Sequence, residues 1–172
     1  MNKILLLFLP LLLGARQAEE PTLPEARFPA LVVAASGEKI DVAQLAKDQR
    51  VVVVTLKATW CRVCQEQLLR IKKQLDQLEF CSVSFLVLSP GSAAELNAIQ
   101  QRTAFPYPFI PDKDLEIGTA MQLVLDKEEQ TLIPALFILN PNRTVSWIQL
   151  GRNALRYGDA QLLEAIECGD WI

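Results

Sequence analysis

Residues 51–64 read VVVVTLKATWCRVC, and this stretch joins an apolar strand to two closely spaced cysteines. Residues 51–56 show no alternation of apolar and polar side chains, which is typical of a central strand covered on both faces. Cys61 and Cys64 lie three positions apart at the start of an amphipathic helix. A helix N-terminus stabilises thiolates, and two sulfurs at this spacing can close on each other across one turn. The stretch therefore predicts a redox-active dithiol.

The helix that follows is predicted to continue to about residue 78 and to bury one face. Its apolar positions recur at helical spacing and form one core stripe: Cys64, Leu68, Ile71, Leu75 and Leu78. Arg62, by contrast, lies on another face with the polar residues of the helix. Cys64 therefore belongs to the buried stripe, whereas Cys61, at the mouth of the helix, is the more accessible sulfur.

Composition excludes several classes of site. The chain has 172 residues, enough for one domain with a real core, and a formal net charge of −3. Without a basic patch, nucleic acid is not an expected partner. Histidine is absent, which excludes His-based acid–base catalysis, Cys–His pairs and nearly every catalytic zinc arrangement. The four cysteines contain only one close pair, so no metal site is expected.

The N-terminal residues have the form of an export signal. A short basic start with Lys3 precedes an apolar stretch that is too short to span a bilayer, which needs roughly 20 residues. We expect residues 1–15 to be a cleaved signal peptide, with an uncleaved anchor as the alternative. Residues 16–30 are rich in proline and form a linker, and residues 31–172 form the domain. An exported chain works in an oxidising compartment, where free dithiols do not stay reduced unless another protein reduces them. A Cys-x-x-Cys pair in such a chain is therefore expected to be functional.

The remaining elements follow from periodicity, turn residues and helix caps. Ser92 and Glu95 form a capping box, and the segment 140–143 is a turn between two strands. In chain order we predict a hairpin of residues 31–33 and 40–42, a helical turn around Leu45, strand 51–56, helix 61–78, strand 81–88, a helix from Ser92 to Thr103, a short helix 115–123, strands 135–139 and 144–150, and a last helix 160–167. A parallel βαβ half joined to an antiparallel ββα half makes a mixed sheet between helices.

This order, with Cys-x-x-Cys at the first main helix, resembles the thioredoxin superfamily. The closer likeness is to its exported branch, the TlpA/ResA-type thiol-disulfide oxidoreductases, and to related redoxins of the AhpC/TSA type. It runs from Phe28 to the C-terminus and includes residues 51–64 and the segment LIPALFIL, residues 132–139. The resemblance implies an α/β thioredoxin-like three-layer sandwich. A mixed central sheet would carry helices on both faces and an N-terminal β-hairpin extension.

The resemblance also implies roles for individual residues. Cys61 would be the attacking thiolate and Cys64 the buried resolving cysteine. Pro134 would be a cis-proline facing the dithiol, with the backbone beside Ile133 exposed to pair with a substrate chain and Trp60 flanking the site. From the residue pattern alone, Pro134 reads as an ordinary trans proline at a strand edge.

Other features should adjust the chemistry of this dithiol. Arg62 is a candidate for lowering the pKa of the Cys61 thiol, with a solvated surface residue as the alternative. TlpA/ResA-type proteins often place a buried acid near the dithiol. The two matching positions here hold Gln67 and Thr55, while Glu66 should point outward. The proton acceptor for Cys64 is therefore not identified by the resemblance.

Cys81 and Cys168 are separate from the dithiol. In this topology Cys81 begins a strand at the pole opposite Cys61 and Cys64, and the last helix runs back toward that pole. A structural disulfide between them is geometrically allowed in an exported protein. The alternative is two buried free thiols, or one exposed reactive Cys168.

These patterns lead to an exported thiol-disulfide oxidoreductase, acting as a reductase through its own Cys61–Cys64 disulfide without another cofactor. Its partners would be protein thiols and disulfides and an upstream thiol reductant, in the bacterial periplasm. After signal cleavage no stable membrane span would remain.

Three alternatives compete with this reading. A thiol peroxidase of the peroxiredoxin branch wants Pro-x-x-x-Thr/Ser-x-x-Cys, and reading back from Cys61 gives Ala58 and Val54, from Cys64 gives Cys61 and Lys57. A copper-delivery module usually adds a histidine, which this chain lacks. The last alternative is a non-catalytic thioredoxin-fold binding module.

Overall fold

The computed structural model describes residues 26–78, 81–151 and 162–166. The predicted signal peptide, most of the predicted linker, and both ends of the predicted last helix lie outside these residues. Its helices and the strands outside the central sheet are β1 (Leu31–Val33), β2 (Lys39–Asp41), α1 (Val42–Asp48), α2 (Arg62–Gln74), α3 (Ala93–Thr103), α4 (Glu116–Ala120), β6 (Val124–Asp126), β7 (Thr131–Leu132) and α5 (residues 162–166). Within this part of the chain, no helix has the length and apolar character needed to cross a bilayer.

A five-stranded mixed sheet forms the centre of the molecule. Its strands are β3 (Arg50–Thr55), β4 (Val83–Ser89), β5 (Phe109–Pro111), β8 (Ala135–Leu139) and β9 (Val145–Leu150). They lie in the order β5-β4-β3-β8-β9. The pairs β3–β4 and β4–β5 are parallel, whereas β3–β8 and β8–β9 are antiparallel. The mixed sheet that was predicted is confirmed.

Both faces of β3 are covered, as its uninterrupted apolar run indicates. Successive side chains of a strand point to opposite faces. Val52 and Val54 pack with α2, α3 and α5, while Val51 and Val53 pack with the β1–β2 hairpin, α1 and α4. The three-layer sandwich with an N-terminal hairpin is therefore confirmed.

One predicted helix end needs correction, and two short strand elements were missed. The helix that was expected to reach residue 78 ends as α2 at Gln74, and Leu75–Leu78 tighten into a 3₁₀ turn. The three-residue strand β5 was not predicted, because Pro106 and Pro108 precede it and Pro111 ends it. As an edge strand it tolerates Pro111.

The small β6–β7 pair was also missed, because an acidic stretch hides its turn. In that turn the Asp126 side chain accepts hydrogen bonds from the backbone N–H groups of Glu128 and Glu129, at 2.8 and 3.0 Å. The pair is short and lies outside the central sheet. It nevertheless matters for the site, because β7 leads directly into Ile133 and Pro134.

Candidate active site at the start of helix α2

Cys61 is the N-cap of α2 as well as a candidate catalytic residue. It has extended backbone geometry, and its Sγ accepts a hydrogen bond from the backbone N–H of Cys64 at 3.3 Å. The first N–H groups of a helix have no partner within the helix. The Cys61 sulfur accepts a hydrogen bond from one of these N–H groups. The start of the helix therefore places Cys61 where a thiolate is stabilised.

Cys61 and Cys64 are joined by a disulfide, with 5.3 Å between their Cα atoms. The Cys61 side chain keeps 9% of its surface exposed, whereas Cys64 is completely buried. The prediction that Cys61 is the more accessible sulfur is confirmed. An approaching group reaches Cys61 first, while Cys64 lies behind it in the core on the α2 side of the sheet.

The backbone of Lys57 holds the buried sulfur. Its N–H donates to Cys64 Sγ at 3.4 Å, and its carbonyl accepts from the N–H of Leu132 at 3.0 Å. Through its N–H and its carbonyl, Lys57 thus connects Cys64 to Leu132 in β7. An N–H directed at sulfur favours the charged thiolate over the thiol. Sequence analysis missed this contact because a backbone donor has no signature in residue type.

Four residues form what we call the active-site rim: Lys57, Trp60, Arg62 and Val63. Trp60 and Val63 are 64% and 48% exposed. The Lys57 ammonium lies 5.2 Å from the centroid of the Trp60 ring, a cation–π contact. Arg62 is exposed on the first turn of α2, which contains no acidic residue. Trp60 and Arg62, the chain neighbours of Cys61, thus contribute an exposed ring and an exposed cation to this rim.

The prediction of a cis bond before Pro134 is wrong. No peptide bond of the described residues is cis, so Ile133–Pro134 is trans, as the residue pattern alone indicated. The backbone groups on either side of this bond are hydrogen-bonded within the chain. The Ile133 N–H donates to the Leu123 carbonyl at 2.7 Å, and the Pro134 carbonyl accepts from the Gly151 N–H at 2.7 Å. A trans bond needs no enforcement, whereas a cis bond is the costlier state.

The backbone beside Ile133 is also unavailable for strand-like pairing in this conformation. Its N–H is used by Leu123, and its carbonyl accepts from the hydroxyl of Thr55 at 2.8 Å. Pro134 has no N–H to offer. We expected a substrate chain to form strand-like hydrogen bonds with Ile133 and Pro134. In this conformation the backbone groups that would form them are already hydrogen-bonded within the protein.

In the described part of the chain, no buried acid accompanies the dithiol. Thr55 and Gln67 are both buried, at the positions where related proteins often carry an acid, and Glu66 is exposed as predicted. Among the described residues Asp112 is the one buried carboxylate, and it accepts from the N–H groups of Ile117 and Gly118 at 3.0 and 2.8 Å. These bonds tie it to α4. The same part of the chain has no cluster of His, Cys, Asp or Glu suited to a metal.

The AhpC/TSA family model matches residues 17–148, which is most of the chain. This protein belongs to the AhpC/TSA family. A comparison with curated protein sequences finds no match. With the mixed sheet and the Cys61–Cys64 disulfide, family membership makes it a thiol-dependent redoxin of the thioredoxin superfamily.

Solved structures share the fold of this AhpC/TSA redoxin at low sequence identity. Peroxiredoxin Q from Xanthomonas campestris is 16% identical, with 86% of this chain and 96% of that chain covered and a TM-score of 0.73. Peroxidoxin BcpB from Mycobacterium tuberculosis is 13% identical, with 83% and 95% covered and a TM-score of 0.69. A secreted Mycobacterium tuberculosis disulfide oxidoreductase homologous to E. coli DsbE is 14% identical, with 79% and 92% covered and a TM-score of 0.61.

The redoxin carries a second disulfide away from the dithiol. Cys81 is disulfide-bonded, so the alternative in which it stays a free thiol is wrong. Cys168, its predicted partner, lies outside the described residues. Cys81 borders a pocket of about 220 Å³ together with Arg50 and Ile166, and an Arg50 guanidinium nitrogen donates to the Ala165 carbonyl at 3.3 Å. This pocket lies at the end of the sheet where β3 and β4 begin.

Proposed function

We propose that this redoxin is a thiol-disulfide oxidoreductase that reduces disulfides of partner proteins through Cys61 and Cys64. The observation that supports this function best is the disulfide at the start of α2, in which Cys61 keeps 9% of its surface exposed and Cys64 is completely buried. This asymmetry separates the roles of the two residues. Cys61 meets the partner, and Cys64 completes the reaction without being exposed to it.

In the proposed reaction the Cys61 thiolate attacks one sulfur of a partner disulfide. A Cys61–partner bond forms, and the other partner sulfur leaves as a thiolate that takes a proton from solvent. Cys64, as thiolate, then attacks Cys61 Sγ and releases the second partner thiolate. The Cys61–Cys64 bond closes, and the partner has gained two electrons. An upstream thiol reductant reopens the bond, so the proposal requires no further cofactor.

We place this reaction outside the cytoplasm, in the bacterial periplasm, with protein thiols and disulfides as partners. The support is the signal-like residues 1–15 and the likeness to the secreted Mycobacterium tuberculosis disulfide oxidoreductase. The proposal includes no nucleic-acid partner and no membrane span after the leader is removed.

A variant of each cysteine tests the proposal. Reduced Cys64→Ser should form a stable mixed disulfide at Cys61 with a disulfide-bonded peptide, because no resolving thiolate releases it. Cys61→Ser is the matched control and should trap no peptide, because Cys64 is buried. Intact mass spectrometry measures both adducts. Trapping at Cys64 alone would contradict the assigned roles.

Peroxide reduction is the second candidate. It is favoured by the likeness to peroxiredoxin Q and to the Xanthomonas campestris bacterioferritin comigratory protein, which has alkyl peroxide reduction activity. The peroxide-binding pattern of that branch is absent around Cys61 and Cys64, which weighs against it. Stopped-flow oxidation of the reduced protein by hydrogen peroxide and by an alkyl hydroperoxide separates the two functions.

The result of that comparison decides between three readings. Disulfide exchange that is faster than peroxide oxidation at equal oxidant concentration supports the oxidoreductase. The reverse order makes the protein a peroxidase. If the reduced protein reacts neither with the peptide disulfide nor with a peroxide, the dithiol has no redox function and the protein is a binding module.

A further inference from the structure

The closed backbone at Ile133 and Pro134 restricts how a partner can approach. In this conformation the polar groups beside Pro134 are already paired with Leu123, Thr55 and Gly151. A partner chain cannot add there as an extra strand without displacing these bonds. The accessible edge of Cys61 must therefore be approached over the active-site rim, where recognition depends on side chains.

The rim offers apolar surface beside the reactive sulfur. Trp60 precedes Cys61 and Val63 follows it by two positions, and both belong to the few large apolar side chains that are exposed in the described part of the chain. An aromatic ring at this position supplies contact area at little cost in conformational entropy. A partner residue next to the attacked cysteine could bury these two side chains.

The charged groups of the rim are cationic. Lys57 is held over the Trp60 ring, and Arg62 stands on a first helical turn without an acidic residue, with the exposed Glu66 four positions further along α2. A carboxylate also lies close to the segment between β3 and α2: Glu95 Oε1 accepts a hydrogen bond from the Thr59 hydroxyl at 3.4 Å. Its Oε2 is used by the Ser92 N–H and hydroxyl at 2.8 and 2.7 Å.

The sign of the rim is opposite to that of the chain as a whole, which carries a formal charge of −3. Two cations within the reach of an incoming chain attract acidic groups and repel basic ones. Because the rest of the protein repels acidic partners, this attraction is local and orients the partner toward Cys61. A rim of this kind discriminates between partners by charge rather than by backbone pairing.

We propose that the rim selects polypeptide disulfides whose cysteine is flanked by acidic residues and a neighbouring apolar side chain. This inference rests on the proposed function and specifies its substrate class. The reaction is the exchange already described: the dithiol of Cys61 and Cys64 supplies two electrons, the partner disulfide accepts them, and the two partner thiols take protons from solvent. Lys57 and Arg62 act by binding and take no part in the bond changes.

Three disulfide-linked peptide dimers of the same length test the proposal with the full chain, reduced with dithiothreitol and freed of it. All carry one leucine next to the cysteine; the flanking residues are acidic in one, uncharged in the second and lysine in the third. At low ionic strength we expect the acidic peptide to be reduced about three- to tenfold faster than the lysine peptide, with the uncharged peptide between them. At about 1 M salt, where charges are screened within about 3 Å, the rates should converge.

Charge reversal provides the decisive variant. Lys57→Glu combined with Arg62→Glu should invert the preference, so that the lysine peptide is reduced faster than the acidic peptide. Lys73→Gln removes an exposed cation from the last turn of α2 and is the matched control, with the preference unchanged. Closure of the Cys61–Cys64 disulfide, followed by mass spectrometry, checks that each variant is folded at the site.

Equal rates for the three peptides, or a preference that survives charge reversal, would overturn the inference while the proposed function stands. If none of the peptides is reduced, the proposed function itself fails, and the inference fails with it.

Discussion

Thr55 is the residue that joins the end of β3 to the segment around Pro134. It is completely buried, and its hydroxyl lies within 2.8 Å of the Ile133 carbonyl and 3.3 Å of the Ala135 carbonyl. A hydroxyl has one proton, so the shorter contact is the main bond and the longer one is shared. Thr55 therefore fixes the carbonyl on each side of a proline that cannot donate a hydrogen bond of its own.

Replacing Thr55 with valine should destabilise the fold. The substitution removes the donor and leaves the Ile133 carbonyl without this partner, which costs about 1–3 kcal/mol in free energy of unfolding. Urea denaturation followed by fluorescence measures the change. Thr119→Val, at an exposed position on α4, is the matched control and should change stability by less than about 0.5 kcal/mol. Equal stability of the two variants would show that the Thr55 hydroxyl contributes nothing.

Among the elements, α3 shows how a local sequence signal sets a helix boundary. The Ser92 hydroxyl accepts from the Glu95 N–H at 3.3 Å, and the Glu95 carboxylate accepts from the Ser92 N–H at 2.8 Å. This capping box was predicted from the two residues and is confirmed. The hydrogen bonds from the Ser92 backbone, then from the Ser92 side chain, lower the pKa of Glu95, with a smaller contribution from Thr59.

The lowered pKa of Glu95 predicts a pH-dependent contribution to stability. Because the pKa is lower in the folded state, the contribution is fully present above the unfolded value of about 4.3 and is lost as pH falls through the folded value. Glu95→Gln should therefore be less stable than the parent at neutral pH, and the gap should narrow below about pH 4.

Urea unfolding of the parent and of the Glu95→Gln variant, at neutral pH and below about pH 4, measures the difference in their free energies of unfolding. Glu128→Gln, in the β6–β7 turn, is the control for removal of one exposed carboxylate outside a helix cap. A gap that stays constant or widens in acid would contradict the assigned capping role.

In the whole molecule the two redox features occupy opposite ends of the sheet. The dithiol follows the C-terminal end of β3, and Cys81 precedes the N-terminal end of β4. Because β3 and β4 are parallel, these positions lie at opposite edges. Exchange at Cys61 is thereby kept apart from the Cys81 bond.

We predict that the Cys81 disulfide is structural and that Cys168 is its partner. Such a bond would close a loop of about 90 residues, and in the chain-entropy view long loops give the larger stabilisation. The paired variant Cys81→Ala with Cys168→Ala should lose about 2–4 kcal/mol of unfolding free energy. Cys61→Ala with Cys64→Ala, which opens a short loop, should lose less.

Denaturation midpoints of the two paired variants, and mass spectrometry of unreduced peptides, check this prediction. A peptide that links Cys81 to Cys168 is expected. If the Cys61 and Cys64 double variant loses more stability than the Cys81 and Cys168 double variant, the prediction that the Cys81 disulfide is the structural one is wrong.

The sequence by itself determined the parts of this protein that depend on short-range patterns. The uninterrupted run in β3, the apolar spacing of α2 and the Ser92–Glu95 box each act within a few residues. Cys61 and Cys64 belong to this group, because their spacing and their place at a helix start set both their pairing and the difference in their burial. The mixed sheet follows from the order of these elements.

Tertiary structure alone decided the surroundings of the dithiol. The Lys57 N–H reaches Cys64, Leu132 bonds back to Lys57, and Leu123 takes the N–H of Ile133. It also decided that β5 and the β6–β7 pair form. The physical reason is the same in each case: backbone hydrogen bonds join groups that every residue carries, so residue type does not reveal which distant partner they will find until the chain has folded.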